Sequence, residues 1–156
     1  MSTDASTEVV AYTDGSCDTG SGRGGWAYLL TRGGRSRSAS GFEPGTTNNR
    51  MELTAAVKAL EALKRPCRVT LVTDSEYLKK AFTAGWLERW QRNGWRTASK
   101  QPVKNRDLWE RLLELASLHE IRWEWTRGHS GHPENELVDR LALEARRTGR
   151  GVDAAD

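Results

Sequence analysis

The alternation of apolar and polar residues predicts three strands, then helices that alternate with two further strands. Apolar or β-branched runs at 9–14, 26–31 and 35–42 are separated by glycine-containing turns, and later runs cover 68–74 and 121–126. Helical spacing predicts helices near 75–93, after Asn105 and after Pro133, and a first helix that begins at 46–49 and buries Leu53, Ala56, Val57, Leu60 and Leu63. This order predicts an α/β fold in which helices cover both faces of one mixed sheet.

The length and composition are those of a single soluble globular domain. The chain has 156 residues, of which 37% are hydrophobic and 29% are charged. No apolar run approaches the length of a membrane span, and the polar start differs from a signal peptide. We expect a disordered N-terminal tail over residues 1–8, one domain over 9–147 and a frayed C-terminal tail over 148–156.

The two cysteines, Cys17 and Cys67, fit no metal-ligand spacing. Free thiols favour a reduced, cytoplasmic location, and a disulfide between the two is the less favoured alternative. Nothing in the sequence predicts an association between copies of the chain, so we expect a monomer.

Positive charge is concentrated in one segment of the chain. The whole chain has a net charge of +3, but residues 79–106 contain eight basic residues and one acid, which gives this segment a net charge of +7. Such segregation indicates a polyanionic partner. A solvated helix face is the alternative interpretation, although such faces usually carry both signs of charge.

Four acids occupy positions that are unusual for surface carboxylates. Asp14 and Asp74 each end a predicted strand, and a right-handed crossover would make those strands parallel neighbours with a shared C-terminal edge, where open α/β sheets place their sites. Glu52 lies beside the buried face of its helix, and Asp139 lies among apolar residues of the last helix. Each acid alone can be a turn former or an ordinary helix acid, but together they would repel one another without a counter-ion.

The chemistry of these oxygen ligands favours Mg²⁺ or Mn²⁺ over zinc. Four carboxylates suit a pair of metal ions about 3.5–4 Å apart, which in phosphodiester cleavage activates water and stabilises the leaving oxygen. The acids therefore predict a two-metal hydrolytic site.

The motifs around these acids strongly resemble bacterial type 1 ribonuclease H. They are Thr13-Asp14-Gly15-Ser16-Cys17, Thr47-Asn48-Asn49-Arg50-Met51-Glu52, Thr73-Asp74-Ser75, and Gly128-His129-Ser130-Gly131-His132-Pro133-Glu134-Asn135-Glu136 followed by Asp139. The resemblance extends from about Val9 to Arg147. It implies a ribonuclease H-like, five-stranded mixed sheet with strand order 3-2-1-4-5.

The resemblance also implies an activity and its cofactor. The activity is endonucleolytic cleavage of the RNA strand of RNA–DNA hybrids, which leaves 5′-phosphate and 3′-hydroxyl ends. The cofactor is a pair of Mg²⁺ ions, replaceable by Mn²⁺, and the residues that hold it are Asp14, Glu52, Asp74 and Asp139.

Two further residues are candidates for supporting the chemistry. His129 is flanked by small residues, and its imidazole could transfer a proton near neutral pH. The resemblance gives it a helper role in acid–base chemistry or product release, and a solvent-exposed loop histidine is the alternative. Asn135 lies one helical turn before Asp139, so we expect it to position Asp139 or the attacking water unless it is an ordinary helix-start residue.

The basic segment also carries aromatic residues that suit a nucleic acid. Trp86 and Trp90 are one helical turn apart, with Arg89 and Arg92 nearby. Indole rings pack on sugars and bases while arginines bind phosphates, although core packing of the tryptophans is the alternative. The resemblance makes residues 79–106 a basic protrusion that binds the DNA strand.

The resemblance assigns further nucleic-acid contacts. It places Thr47 and Asn105 in a pocket for a DNA phosphate, and we also expect Asn105 to cap the helix that it precedes. It places Cys17, Asn48 and Asn49 against the RNA strand and its 2′-hydroxyls, the groups that distinguish RNA from DNA.

The chain departs from the family pattern at two places. Thr19-Gly20-Ser21 stands where many relatives have Asn-Pro-Gly, and Glu76 stands where glutamine is common.

Two other functions remain open, namely a hybrid-binding module without activity, and a DNA nuclease or strand transferase on the same fold. A protein partner, such as a single-strand-binding protein, cannot be read from the sequence.

Overall fold

The computed structural model describes residues 8–126 and 132–155. Over these residues the chain forms six strands and five helices. The strands are β1 (Glu8–Cys17), β2 (Gly24–Arg32), β3 (Arg35–Glu43), β4 (Arg68–Thr73), β5 (Glu120–Trp125) and β6 (Asp153–Ala155). The helices are α1 (Asn48–Glu61), α2 (Glu76–Thr83), α3 (Trp86–Asn93), α4 (Arg106–Ala116) and α5 (Pro133–Thr148).

The six strands form one mixed sheet in the order β5-β4-β1-β2-β3-β6. β1 pairs antiparallel with β2 and parallel with β4, and β4 pairs parallel with β5. The parallel register places Glu8 opposite Arg68 and Tyr12 opposite Val72. Asp14 and Asp74 therefore emerge at the same edge of the sheet, and the predicted order of the first five strands is confirmed.

Helices cover both faces of the sheet. α1 packs on β1 and β2 and contacts α4 from its outer side, and the main core fills this face. α5 packs on the opposite face, where Ala27 and Leu29 of β2 meet Val138 and Ala142. The Thr47 hydroxyl accepts a hydrogen bond from the Arg50 backbone N–H at 3.1 Å, which begins α1 at the expected place.

A sixth strand joins the five predicted ones, and it lies in the C-terminal tail that was expected to fray. β6 pairs antiparallel with β3, and the backbone N–H of Ser40 donates to the Val152 carbonyl at 2.8 Å. Arg37 forms an ion pair with Asp153 at 3.1 Å. The tail forms a strand because the edge of β3 offers backbone groups that need hydrogen-bond partners. The amino-acid composition of the tail does not indicate that such an edge is nearby.

The N-terminal boundary also differs by one residue. Glu8 was assigned to the tail but is the first residue of β1, because its neighbour strand extends far enough to pair with it. Residues 1–7 lie outside the described residues, so their predicted disorder stays a prediction. Cys17 and Cys67 are both free thiols. Among the described helices, none has the length and apolar character that crossing a membrane would require.

Gly25 in β2 lies where α5 approaches the sheet closely, so a substitution at this position tests that contact. A Cβ atom at Gly25 would lie 2.1 Å from the Ala142 carbonyl oxygen and 2.8 Å from the Arg146 backbone nitrogen. Gly25→Ala should therefore lower the free energy of unfolding by about 1–3 kcal/mol, because helix and sheet must separate. Urea denaturation measures this change.

The matched control is Gly20→Ala, since the nearest atom to that Cβ is 3.5 Å away. The control should change the free energy of unfolding by less than about 0.5 kcal/mol. Equal effects of the two substitutions would contradict the described contact between β2 and α5.

Candidate metal centre and nucleic-acid interface

Three of the predicted carboxylates meet at the C-terminal edge of the sheet. Asp14 lies near the end of β1, Asp74 directly follows β4, and Glu52 lies in the second turn of α1. Their carboxylate oxygens lie within 4.8 Å of one another. Asp139 of α5 lines the same cleft and lies close enough to Asp14 to raise its pKa. All four acids line one cleft of about 420 Å³.

Gly15 allows α1 to approach β1 closely enough for this arrangement. Its backbone N–H donates to Glu52 Oε1 at 2.6 Å and to Asp14 Oδ1 at 2.9 Å. A Cβ atom at Gly15 would lie 2.3 Å from the Glu52 backbone nitrogen and 2.4 Å from the Met51 carbonyl carbon. This role of Gly15 was not predicted, although a glycine next to a site aspartate is a signal of close backbone approach.

Ser75 lies close to Glu52 at the start of α2. The hydroxyl of this buried serine accepts the Leu78 backbone N–H at 3.1 Å, which caps α2, and the serine side chain lowers the pKa of Glu52. Glu52 is only 6% exposed, so its carboxylate is enclosed by its neighbours. The nearness of Ser75 to Glu52 depends on the packing of α2 against α1, which no local pattern in the sequence indicates.

Burial and the negative charges of neighbouring acids disfavour the ionisation of Asp14 and Glu52. Burial, and then the negative charges of Glu52 and Asp74, raise the pKa of Asp14 above its usual value. Burial and the charge of Asp74 raise the pKa of Glu52, against the lowering effect of its hydrogen bonds. The site therefore needs either bound protons or a bound cation. An all-oxygen donor set of this kind fits a hard divalent cation.

The residues predicted to touch the RNA strand lie beside the carboxylates. Asn48 and Asn49, in the first turn of α1, are exposed and line the same cleft. Cys17 ends β1, and its thiol donates to the Thr46 carbonyl oxygen at 3.4 Å. Thr47 is exposed where α1 begins. The fold thus brings two separate segments of the predicted interface together, the end of β1 and the start of α1.

Asn105 is held by contacts that the sequence analysis did not foresee. Its backbone has φ +62°, and its side chain does not cap α4 as expected. Its amide oxygen instead accepts from Arg50 Nη1 at 3.3 Å, and its amide nitrogen donates to the Tyr77 hydroxyl at 3.2 Å. Arg50 also lies within hydrogen-bond distance of Asp107. The left-handed backbone turns the amide of Asn105 toward these neighbours and away from its own helix.

The tryptophans of the basic segment are partly core residues. Trp86 and Trp90 are half-buried and their ring centroids are 5.8 Å apart. The ring centroid of Trp90 also lies 5.7 Å from that of the fully buried Trp109. Arg89 and Arg92 are exposed. Trp86 and Trp90 therefore support the fold and also present part of each ring to solvent.

Two further residues named from the sequence also line the cleft. Asn135 is half-buried and lines the cleft with Asp139. Glu76 is exposed and lines the cleft as well, so its negative charge adds to that of the four acids. His129 lies outside the described residues.

Comparison with known proteins identifies the family. The RNase H family model matches residues 6–147. The chain belongs to the RNase H family. Ribonuclease H of Halorhodospira halophila is 60% identical over 134 residues, which cover 86% of this chain and 89% of the relative. Ribonuclease H of Methylococcus capsulatus is 53% identical over 145 residues, which cover 93% of this chain and 89% of the relative.

A solved structure supports the same family. It is the crystal structure of LC9-RNase H1, described as a type 1 RNase H with the type 2 active-site motif. The match has a TM-score of 0.80 and 32% sequence identity, and it covers 98% of this chain and 80% of that one. The predicted resemblance to ribonuclease H is confirmed.

Family membership makes this chain a nuclease of the hydrolase class. Ribonucleases H use divalent metal ions, and the cluster of Asp14, Glu52 and Asp74 offers ligands for one.

Asp14→Asn should stabilise the metal-free ribonuclease H at neutral pH, by about 1–3 kcal/mol of unfolding free energy. The pKa of Asp14 is raised in the folded state, so folding holds a proton that the unfolded chain releases above pH about 4. The wild-type protein therefore loses stability as the pH rises, and asparagine removes this loss. The advantage of the variant should vanish below pH about 4, where aspartate is protonated in both states. Urea denaturation in EDTA across pH measures it.

Asp18→Asn is the matched control. Asp18 is exposed, and hydrogen bonds from Ser21 and Gly20 lower its pKa, so this substitution should not stabilise the protein at neutral pH. If Asp14→Asn destabilises the protein over the whole pH range, the described electrostatic strain is absent.

Proposed function

We propose that this protein hydrolyses the RNA strand of RNA–DNA hybrids endonucleolytically, leaving 5′-phosphate and 3′-hydroxyl ends. The observation that carries the proposal is the convergence of Asp14, Glu52 and Asp74 within 4.8 Å at one sheet edge. Membership of the RNase H family supports the same substrate.

We infer that Asp14, Glu52, Asp74 and Asp139 together hold two Mg²⁺ ions, and that Mn²⁺ can replace them. When bound, such ions lower the pKa of a water nucleophile and stabilise the charge on the leaving oxygen. The protein contributes a fixed donor set. The backbone N–H of Gly15 holds Glu52, and Asp139 lies in the same cleft as Asp14.

Two residues support this chemistry in our proposal. Asn135 lies one helical turn before Asp139 on α5 and lines the same cleft, so it is placed to orient Asp139 or the attacking water. His129 transfers a proton during attack or product release, as expected for an imidazole that titrates near neutrality. Water is the nucleophile, so no covalent intermediate with the protein forms.

The hybrid would lie across the cleft, with its two strands on different residues. The RNA strand contacts Cys17, Asn48 and Asn49, and the asparagine amides offer both a donor and an acceptor to a 2′-hydroxyl. Asn48 and Asn49 line the carboxylate cleft, which puts this strand at the reactive site.

The DNA strand would lie on the other group of residues. Thr47 and Asn105 form a phosphate pocket, and Arg50 links them, because its backbone donates to Thr47 and its guanidinium donates to Asn105. Beyond this pocket the strand contacts the basic protrusion through Trp86, Trp90, Arg89 and Arg92. Arginine–phosphate contacts supply much of the affinity and make it depend on salt.

Replacing a metal ligand should separate catalysis from binding. Asp14→Asn or Asp74→Asn should lower the rate of hybrid cleavage in Mg²⁺ by about 10³-fold or more, because a lost carboxylate disrupts the cation site. Hybrid binding should persist in Ca²⁺, where fluorescence anisotropy measures it. Asp18→Asn, an exposed aspartate of the neighbouring loop, is the control and should cleave normally.

A substrate panel decides between the proposed function and its competitors. Hybrid, DNA duplex and RNA duplex should be compared with and without divalent cation. Hybrid binding without cleavage would leave only a binding module, and preferential cleavage of DNA duplex would identify a DNA nuclease. Either result contradicts the proposed function.

Removing groups from the basic protrusion should weaken binding without slowing chemistry. Trp86→Ala and Arg89→Gln should each raise the Kd for hybrid while the single-turnover rate at saturation stays unchanged. For Arg89→Gln, the slope of log Kd against log salt should fall by about 1, because one phosphate contact is lost. The control is Arg32→Gln, since this exposed arginine lies at the opposite end of the sheet from the cleft. A purely catalytic defect would contradict the DNA-binding role.

A further inference from the structure

The Tyr77 hydroxyl accepts two hydrogen bonds that join the cleft to the core. Trp109 Nε1 donates to it at 3.0 Å and Asn105 Nδ2 donates at 3.2 Å. The ring centroids of Tyr77 and Trp109 are 5.3 Å apart. Because Trp109 is fully buried, the Tyr77 oxygen is fixed relative to the core. Tyr77 also lines the carboxylate cleft.

The other end of the Asn105 amide meets a group that can only donate. Arg50 Nη1 donates to Asn105 Oδ1 at 3.3 Å, and Arg50 itself is held by Asp107 through contacts of 3.2 and 2.9 Å. A flipped amide would place its N–H groups against the guanidinium, donor against donor. Arg50 and Tyr77 together therefore specify which way the amide faces.

The backbone restrains the same residue independently. Asn105 has φ +62°, in the left-handed region that asparagine adopts more readily than most residues. With one hydrogen of Nδ2 directed to Tyr77, the second hydrogen remains for an acceptor such as a phosphate oxygen. An amide held in this way loses little conformational entropy when it binds.

We propose that Tyr77 is a positioning residue for hybrid binding, whose hydroxyl fixes the Asn105 amide in the orientation that donates to a phosphate of the DNA strand. This inference rests on the proposed function, which places Asn105 in the phosphate pocket. Tyr77 acts through Asn105 and makes no contact of its own with the phosphate.

The first experiment removes only the hydroxyl. Tyr77→Phe should raise the Kd for an RNA–DNA hybrid in Ca²⁺ by about threefold to tenfold, the range expected for one lost hydrogen bond. The single-turnover rate in Mg²⁺ at saturating hybrid should stay unchanged. Tyr28→Phe is the matched control, since Tyr28 is buried beside Trp26 and should leave the Kd unchanged. All measurements are made well below the Tm of each variant, because Tyr77→Phe also leaves the Trp109 N–H without this acceptor.

A double-mutant cycle then tests whether Tyr77 acts through Asn105. Asn105→Ala alone should raise the Kd, and Tyr77→Phe should add nothing in the Asn105→Ala background. A merely structural role would lower the Tm of Tyr77→Phe and leave the Kd unchanged, which would overturn the proposal. Equal effects of Tyr77→Phe in both backgrounds would show direct contact with the hybrid and would also overturn it.

The outcomes separate this inference from the proposed function. If Asn105→Ala leaves the Kd unchanged, Tyr77 has no phosphate contact to position and the inference fails. Cation-dependent cleavage of the hybrid by the wild-type protein would still uphold the nuclease. If the wild-type protein does not cleave hybrid at all, the proposed function fails, whatever Tyr77→Phe does to the Kd.

Discussion

Repulsion between buried carboxylates is the constraint on which the rest of this structure depends. Asp14, Glu52 and Asp74 lie together in one cleft, where the charges of Glu52 and Asp74 raise the pKa of Asp14 and the charge of Asp74 raises the pKa of Glu52. Such an arrangement is unfavourable in the absence of a cation, so stability must come from elsewhere in the fold. The core between the sheet and α1 supplies it, and Leu53 and Leu71 are among the fully buried side chains there.

The same constraint explains the distribution of charge over the chain. A hybrid brings phosphates toward a cleft that is already acidic, and Glu76 adds further negative charge there. In our proposal, attraction acts at a distance from the carboxylates, through the segment 79–106 with its net charge of +7. Affinity would then arise mainly on the side that we assign to the DNA strand, while the chemistry would be confined to the side of the RNA strand.

The sequence predicted those features that depend on local pattern or on the parallel pairing of two strands. Asp14 and Asp74 could be placed together because each ends a strand and a right-handed crossover relates the two strands. Glu52 and Asp139 stood out because they lie among apolar residues of their helices. The resemblance to ribonuclease H added roles that the spacing of the residues could not supply.

The features that the sequence did not reveal depend on contacts between distant segments. β6 forms because β3 leaves an edge to pair with, and its own sequence has no strand pattern. No sequence motif singles out Tyr77 or Arg50. Their hydrogen bonds with Asn105 form only because α1, α2 and the start of α4 meet at this residue. The backbone of Asn105 is left-handed, whereas its position before a helix predicted an ordinary cap.

Gly15 has a consequence for how this chain tolerates substitution. Because α1 rests on β1 through main-chain atoms at this glycine, the separation of Asp14 from Glu52 is set by the polypeptide itself and not by the size of any side chain. Core residues elsewhere can then be exchanged without widening the gap between the two ligands.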